Sequence, residues 1–203
     1  MKALALIGGS LALLTPLPSA AQDHPALTTA LRDAVAICEQ AMEGDVRLPA
    51  HAELYTPITG RQGDLLDMLT TAAAPPLIQR FADTTRAGRG GSPFFIEVGS
   101  DEGGVWSIPS TDRTACDTAV TGLADPHTAS AALVEAMLSS GWRLRHSEGV
   151  GDDAAPLYRY LLMRDLQGDE AGQVRAILVQ GLNVGADPEG IQFEVLMMEG
   201  TER

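Results

Sequence analysis

The sequence contains almost no lysine, few aromatic residues and no long hydrophobic run. Lys2 is the only lysine among the 203 residues, and aromatic residues make up 4% of the chain. Without a lysine beyond position 2, the chain cannot use a Schiff-base lysine, a lysine general base or the lysine of a phosphate-binding loop. The apolar run from Ala3 to Leu14 is shorter than the roughly 20 residues that a membrane-spanning helix needs. These absences argue against several classes of cofactor enzyme and against a spanning helix at the amino terminus.

The amino terminus has the layout of a secretory signal peptide. A basic start at Lys2 precedes the apolar run, which Pro16 and Pro18 break before three small residues that end at Ala21. We expect cleavage after Ala21 and no membrane insertion of the mature chain. The first cysteine after the run is Cys38, which argues against a lipid anchor. The prediction is a soluble periplasmic protein, with residues 1–21 removed.

Acidic residues clearly outnumber basic ones. The chain has 27 Asp and Glu against 14 Lys and Arg, and its formal net charge is −13. Nucleic acids and anionic membranes are recognised through basic patches and the release of counterions. We therefore expect no nucleic-acid partner, and consider instead an envelope protein or a small anionic ligand.

Hydrophobic spacing predicts helices in the first part of the mature chain. Apolar residues recur every three or four positions over 27–42, as on one face of a helix. Further helices are predicted over 62–74 and around 77–81, whereas 45–60 contains two prolines without periodicity and is predicted to be a loop. Residues 22–88 are thus expected to form a helical part.

Residues 92–203 have the pattern of a sheet with one inserted helix. The helix is predicted over 126–140, with Pro126 in its first turn and Gly141 at its end. Alternating hydrophobicity predicts seven strands, at 93–98, 105–109, 115–121, 142–147, 157–164, 174–182 and 191–198. We predict a single α+β domain over 22–203, whose mostly antiparallel sheet of about six to seven strands is covered by helices on one face.

The two cysteines carry the clearest chemical prediction. Cys38 lies on the apolar side of the first helix, and Cys116 lies on a strand. In an oxidising compartment, such a pair predicts a disulfide that ties the helical part to the sheet. Two buried thiols remain the alternative, and a catalytic thiol is disfavoured because the Cys-x-x-Cys spacing of redox centres is absent.

Four arginines on the predicted strands are the candidate ligand-binding residues. If the strand register brings them to one patch, they could bind a carboxylate or a phosphate. The alternative is that they pair with acids such as Glu194 and cover the solvent side of the sheet. The four residues are Arg143, Arg145, Arg159 and Arg175.

No motif of a metal site or of a hydrolase is present in the sequence. The four histidines lack the pair spacing of a zinc site, the acidic turns lack the pattern of a calcium loop, and there is no Gly-x-Ser-x-Gly elbow. We expect no metal and no cofactor. The leading hypothesis is a non-catalytic binding or interaction module. The alternatives are a small hydrolase with His51 or His146 as its general base, since only histidine titrates near neutral pH, and a structural envelope component.

Overall fold

One sheet organises the part of the chain that the structure describes. The computed structural model describes residues 25–56, 72–89, 91–92, 94–99, 103–123, 125–150, 157–166, 172–181 and 190–201. The elements in chain order are α1 (Pro25–Glu43), β1 (Ala52–Thr56), β2 (Ala72–Ala73), α2 (Pro76–Thr84), α3 (Arg86–Arg89), β3 (Phe95–Val98), β4 (Gly104–Pro109), β5 (Ala115–Thr121), α4 (Pro126–Ser139), β6 (Arg143–Val150), β7 (Leu157–Asp165), β8 (Gln173–Gly181) and β9 (Ile191–Thr201). The protein therefore has a mixed α+β fold, as the sequence predicts.

The nine strands follow the order β2-β1-β3-β4-β5-β9-β8-β7-β6. All neighbours are antiparallel except β1 and β2, which are parallel. Strands β6 to β9 form a meander, and β9 then inserts beside β5 at the centre of the sheet. The two edges differ greatly, because β2 has two residues and β6 has eight.

Helices α1 and α4 pack on what we call the first face of the sheet. The apolar side of α1, from Leu27 to Met42, lies against the centre of the sheet in one core that also contains Leu133 of α4. Helix α4 starts where the Asp125 side chain accepts a hydrogen bond from Thr128 N at 3.0 Å. It ends at Ser139, and Gly141 follows two residues later with a φ of +89° that suits glycine.

Helices α2 and α3 pack on the opposite, second face, over β3 to β5. There Ile78 and Phe81 of α2 share a core with Trp106 and Ile108 of β4. Strands β4 and β5 are buried at almost every position because apolar residues occupy both alternating sets. The prediction that helices cover only one face is therefore wrong. In this half of the sheet helices pack on both faces, with α1 on the first face and α2 and α3 on the second.

The strand count and the extent of the helical part also need correction. The seven predicted strands are present, but β1 and β2 extend the sheet to nine. Strand β1 lies inside the stretch 45–60, for which the sequence predicts a loop. Its five residues, which lie between two prolines, form a strand because they pair with β3. The helix predicted over 62–74 lies mostly outside the described residues, and its end forms β2, which pairs with β1. Residues 1–21 lie outside the described residues.

The predicted disulfide is present. Cys38 of α1 and Cys116 of β5 form the bond with a Cα–Cα distance of 5.4 Å, and both residues are buried. The bond fixes α1 to the first face at the centre of the sheet. It fits a protein that is exported to an oxidising compartment. In the described ranges, none of the helices is long and apolar enough to cross a membrane.

Candidate functional site

The sheet register places the four candidate arginines apart. Arg175 is opposite Arg164 on β7, and Arg159 is opposite Gln180 on β8, so Arg175 and Arg159 point to opposite faces. Arg143 pairs with Met163, which puts it on the second face with Arg159. Arg145 lies where the β6–β7 register shifts. The structure does not bring the four side chains to one patch.

Arg175 is buried at 1% exposure. On the first face it binds one carboxylate from α1 and one from β9. Its Nη1 donates to Glu43 Oε1 of α1 at 2.9 Å, and its Nη2 donates to Glu199 Oε1 of β9 at 2.6 Å. Arg164 binds Glu39 one turn earlier on α1 and lies 4.7 Å from the centroid of a Trp142 ring. This cluster holds the end of α1 on strands β7 to β9.

The electrostatics of that cluster indicate a structural role. Burial raises the pKa of Glu39 above its usual value, although Arg164 and Arg175 lower it. The guanidinium groups are satisfied by protein carboxylates, so the buried charges are compensated where they lie. We conclude that Arg175 anchors a helix.

The arginines of the second face form exposed ion pairs. Arg159 Nη1 lies 3.1 Å from Glu148 Oε1, and Arg143 Nη2 lies 2.6 Å from Asp165 Oδ1. These pairs match the alternative that the sequence left open, in which the arginines meet acids across strands. Glu194, named there as a partner, instead accepts a hydrogen bond from Gln180.

The described histidines do not form a catalytic triad. His51 Nε2 is 3.1 Å from Asp33 Oδ2, and His146 Nε2 is 3.4 Å from Glu148 Oε2. His127 meets the edge of the Tyr158 ring, with centroids 5.1 Å apart. Within the described ranges, no serine or threonine hydroxyl hydrogen-bonds to any of these three side chains.

A shallow hollow lies on the first face beside the edge strand β6. It has a volume of about 190 Å³ and is lined by His127, Ser147, Glu148, Gly149, Tyr158 and Tyr160. Ser147 and Gly149 lie directly opposite Tyr160 and Tyr158. The small side chain of Ser147 and the absence of one at Gly149 leave space beside the tyrosine rings. Tyr158 itself is buried, and its hydroxyl donates to Pro126 O at 2.9 Å. Burial chiefly raises its pKa to about 12, so it stays neutral.

A second depression lies between the start of α1 and the end of α4. It has a volume of about 420 Å³, and its walls include Thr28, Arg32 and Glu135. The Thr28 hydroxyl is buried without a hydrogen-bond partner in the described residues. No histidine or cysteine is among its described lining residues, and its charged walls are Arg32 and Glu135.

On the second face, the core under α2 and α3 reaches β9, where Ile191 belongs to it and Leu196 packs against it, but it includes no residue of β7 or β8. Six apolar residues of β7 to β9 lie on this face in adjacent cross-strand rows, and each keeps part of its side chain exposed. We call them the open strip: Leu161, Met163, Ala176, Leu178, Leu196 and Met198. Their neighbours in sequence, such as Leu162, Ile177 and Met197, belong to the core on the first face.

Sequence reasoning missed the open strip although a signal was present. Strands β7 to β9 contain near-continuous apolar runs, for example Leu161 to Met163 and Ile177 to Val179. A strand with one solvated face alternates instead, so a continuous run indicates apolar side chains on both faces.

Comparison with known proteins assigns no family to the chain. Models of protein families, curated proteins and solved structures all give no match. A functional proposal therefore rests on the geometry described above.

Proposed function

We propose that the protein is a non-catalytic interaction module of the periplasm, which binds an envelope protein through the open strip. The observation that carries this proposal is the partly exposed apolar surface on β7 to β9, of which only the Leu196 border packs against the core under α2 and α3. Contiguous exposed apolar surface on a folded protein is typical of an interaction site. The partner is expected to present a complementary apolar surface.

The chemistry of the open strip supports a protein partner. Leu161, Leu178 and Leu196 form one row across three strands, and Met163 lies in the next row. Methionine side chains adapt to irregular surfaces. Polar groups flank the rows: the pair of Arg143 and Asp165 on one side, and Arg159, Gln180 and Glu194 on the other. An apolar centre within a polar rim is the common anatomy of a protein interface.

The arrangement of the histidines favours binding over catalysis. A histidine general base needs the reacting proton within hydrogen-bond reach. His51 and His146 each face a carboxylate, and Glu148 also binds Arg159. These contacts are those of surface ion pairs, so the hydrolase hypothesis has no geometry to support it in the described ranges.

The compartment is part of the proposal. The buried disulfide fits an oxidising environment, and the first 21 residues have the order of a signal peptide. The strongly acidic surface suits an exported protein that avoids nucleic acid. These three features together support a periplasmic location.

Site-specific photo-cross-linking in the native envelope tests the proposal. A photoreactive residue at Leu178, in the open strip, is expected to form adducts with a defined protein. The matched control is Leu138, an exposed leucine on α4, which is expected to form none. The captured partner is then purified for binding measurements.

Two aspartate variants then decide whether the strip carries the binding. Leu178→Asp is expected to weaken the affinity for the purified partner by at least about tenfold, and Leu138→Asp is expected to leave it unchanged. Equal effects of the two variants, or no adduct at position 178, contradict the proposal. A hydrolytic activity that His51→Gln or His146→Gln abolishes would establish the alternative.

A further inference from the structure

The methionines of the described ranges divide into two groups. Met42, Met137 and Met197 are at most 7% exposed and belong to the core on the first face. Met163 and Met198 lie in the open strip, where each keeps part of its side chain exposed, and neither belongs to a core cluster of the described residues. Among the described methionines, an oxidant that approaches from solvent therefore meets those of the open strip first.

The two methionines of the open strip occupy one row of the sheet. Met163 on β7 pairs with Ala176 on β8, and Ala176 pairs with Met198 on β9. Neighbouring strands lie about 4.8 Å apart, so about 10 Å and one alanine methyl group separate the two methionines. Leu178 lies in the adjacent row of the same strip. Both thioethers thus lie inside the surface on which the proposed partner packs.

The chain has no free thiol that competes for an oxidant. It contains two cysteines, and both form the buried Cys38–Cys116 bond. Exposed thiolates are otherwise oxidised readily, and methionine thioethers are a further common target. Exposure then decides which methionine reacts, because the oxidant must reach the sulfur atom. In the described ranges, the two methionines of the open strip are therefore expected to react before the three of the core.

We propose that Met163 and Met198 form a modification site, at which oxidation to methionine sulfoxide by a peroxide releases the partner. The inference rests on the proposed function, because both side chains lie in the proposed partner site. With hydrogen peroxide the O–O bond breaks, one oxygen atom bonds to sulfur, and the other leaves as water with both protons. The thioether loses two electrons and the peroxide gains them.

Oxidation changes the chemical character of the open strip. A methionine side chain is apolar and adaptable, whereas its sulfoxide is polar. A partner with a complementary apolar surface offers the sulfoxide oxygen no donor, so binding buries this oxygen without a hydrogen bond. Two such groups in the row beside Leu178 are expected to weaken the affinity for the partner by at least about tenfold.

Peptide mapping after oxidation tests the site itself. The folded protein is treated with a limited amount of hydrogen peroxide, and tandem mass spectrometry separates Met198 from the adjacent Met197. Met163 and Met198 are expected to be oxidised at least about tenfold faster than Met197, which is the matched internal control. The oxidised protein should keep the wild-type circular dichroism, because the core methionines stay unmodified. Equal rates at Met197 and Met198 overturn the inference.

Binding to the partner that is captured through position 178 tests the consequence. The protein alone is oxidised, the peroxide is removed, and the affinity for untreated partner is measured. The double variant Met163→Leu with Met198→Leu is expected to bind the partner and to keep its affinity after the same treatment, because leucine conserves the volume and has no sulfur atom. The control variant Met197→Leu should stay as sensitive to the treatment as wild type.

The outcomes separate this inference from the proposed function. If the partner binds equally well after complete oxidation of Met163 and Met198, the inference is refuted and the proposed function is retained. If the untreated protein forms no adduct at position 178, the proposed function fails, and the release mechanism fails with it. Loss of affinity in the treated double variant would assign the sensitivity to another residue, such as Met68, which lies outside the described residues, and would also overturn the inference.

Discussion

The two halves of the sheet differ in how their second face is covered. In the covered half, β3 to β5 lie between α1 on the first face and α2 with α3 on the second. In the open half, β6 to β9 have helices on the first face, whereas on the second face the core under α2 and α3 reaches only β9, at Ile191 and Leu196. Both halves contain strands that are apolar at consecutive positions. The comparison teaches that a strand with apolar side chains on both faces requires packing on both faces. Where no helix of the same chain packs on one face, a binding partner can do so.

Removal of the disulfide is expected to weaken the covered half most. The double variant Cys38→Ala with Cys116→Ala opens a ring of 78 positions, which corresponds to a loss of about 4 to 5 kcal/mol in the free energy of unfolding. Urea unfolding measures the loss, and wild type in reductant should have the midpoint of the variant. A loss under about 1 kcal/mol would mean that packing alone holds α1 on β5.

Loss of the buried arginine is expected to weaken the open half from its covered face. Arg175→Met removes the charge-assisted hydrogen bonds to Glu43 and Glu199, each of which contributes about 1.5 to 3 kcal/mol. Chemical denaturation measures the effect. The control Arg143→Met removes an exposed pair and should change stability by about 1 kcal/mol or less. Similar effects of the two substitutions would contradict the anchoring role of Arg175.

A pair of alanine variants compares the second face of the two halves directly. Ile108, under α2 and α3, is 0% exposed, so Ile108→Ala should cost about 2 to 5 kcal/mol. Leu178 keeps part of its surface exposed, so Leu178→Ala should cost roughly 1 kcal/mol. Thermal and urea unfolding of both variants provide the measurement. If Leu178→Ala is as costly as Ile108→Ala, the open strip is covered within the molecule, and its proposed role fails.

The smallest expected effect concerns Glu194, near the boundary between the halves. Burial, and secondarily Asp117, raises the pKa of Glu194 above 4.5. The folded state thus holds this proton more tightly than the unfolded state, and stability falls as pH rises through the raised pKa. In Glu194→Gln the amide oxygen still accepts from Gln180, and the titration is gone. The variant should therefore gain stability relative to wild type at neutral pH but not below pH 4.5.

An exposed carboxylate provides the control of opposite sign. The hydrogen bond from His146, followed by the one from Arg159, lowers the pKa of Glu148. Its stabilising contribution is present above the unfolded pKa and is lost as pH falls through the lowered value. Glu148→Gln should therefore lose stability at neutral pH. Urea unfolding across this pH range that shows the same sign for both variants would contradict the assignment.

The sequence was sufficient to predict the elements whose signals are local. The long apolar period of α1, the start of α4 at Pro126, the seven strands and the Cys38–Cys116 bond could all be predicted because spacing, capping and chemistry act over short stretches. Strand β1 could not, because a five-residue strand between prolines gains its stability from pairing with β3.

The candidate site depended on information that a single sequence does not contain. A shift of one residue in register reverses the face of every side chain. The register of β7 and β8 puts Arg175 on the face that α1 covers and Arg159 on the exposed face. The cover on the second face is likewise a tertiary property. The continuous run at Leu161 to Met163 could have predicted that apolar side chains lie on both faces of the strand. It could not have predicted whether a helix packs on the second face.

The position of the two cysteines in the chain also bears on how it would assemble under the proposed export. Cys116 precedes α4 and strands β6 to β9, so in a chain that is translocated from its amino terminus the bond can close before the open half has been delivered. In the complete fold β5 pairs with β4 on one side and with β9, which is delivered last, on the other. With only two cysteines in the chain, oxidation has a single intramolecular outcome, and maturation needs no reshuffling of mispaired thiols.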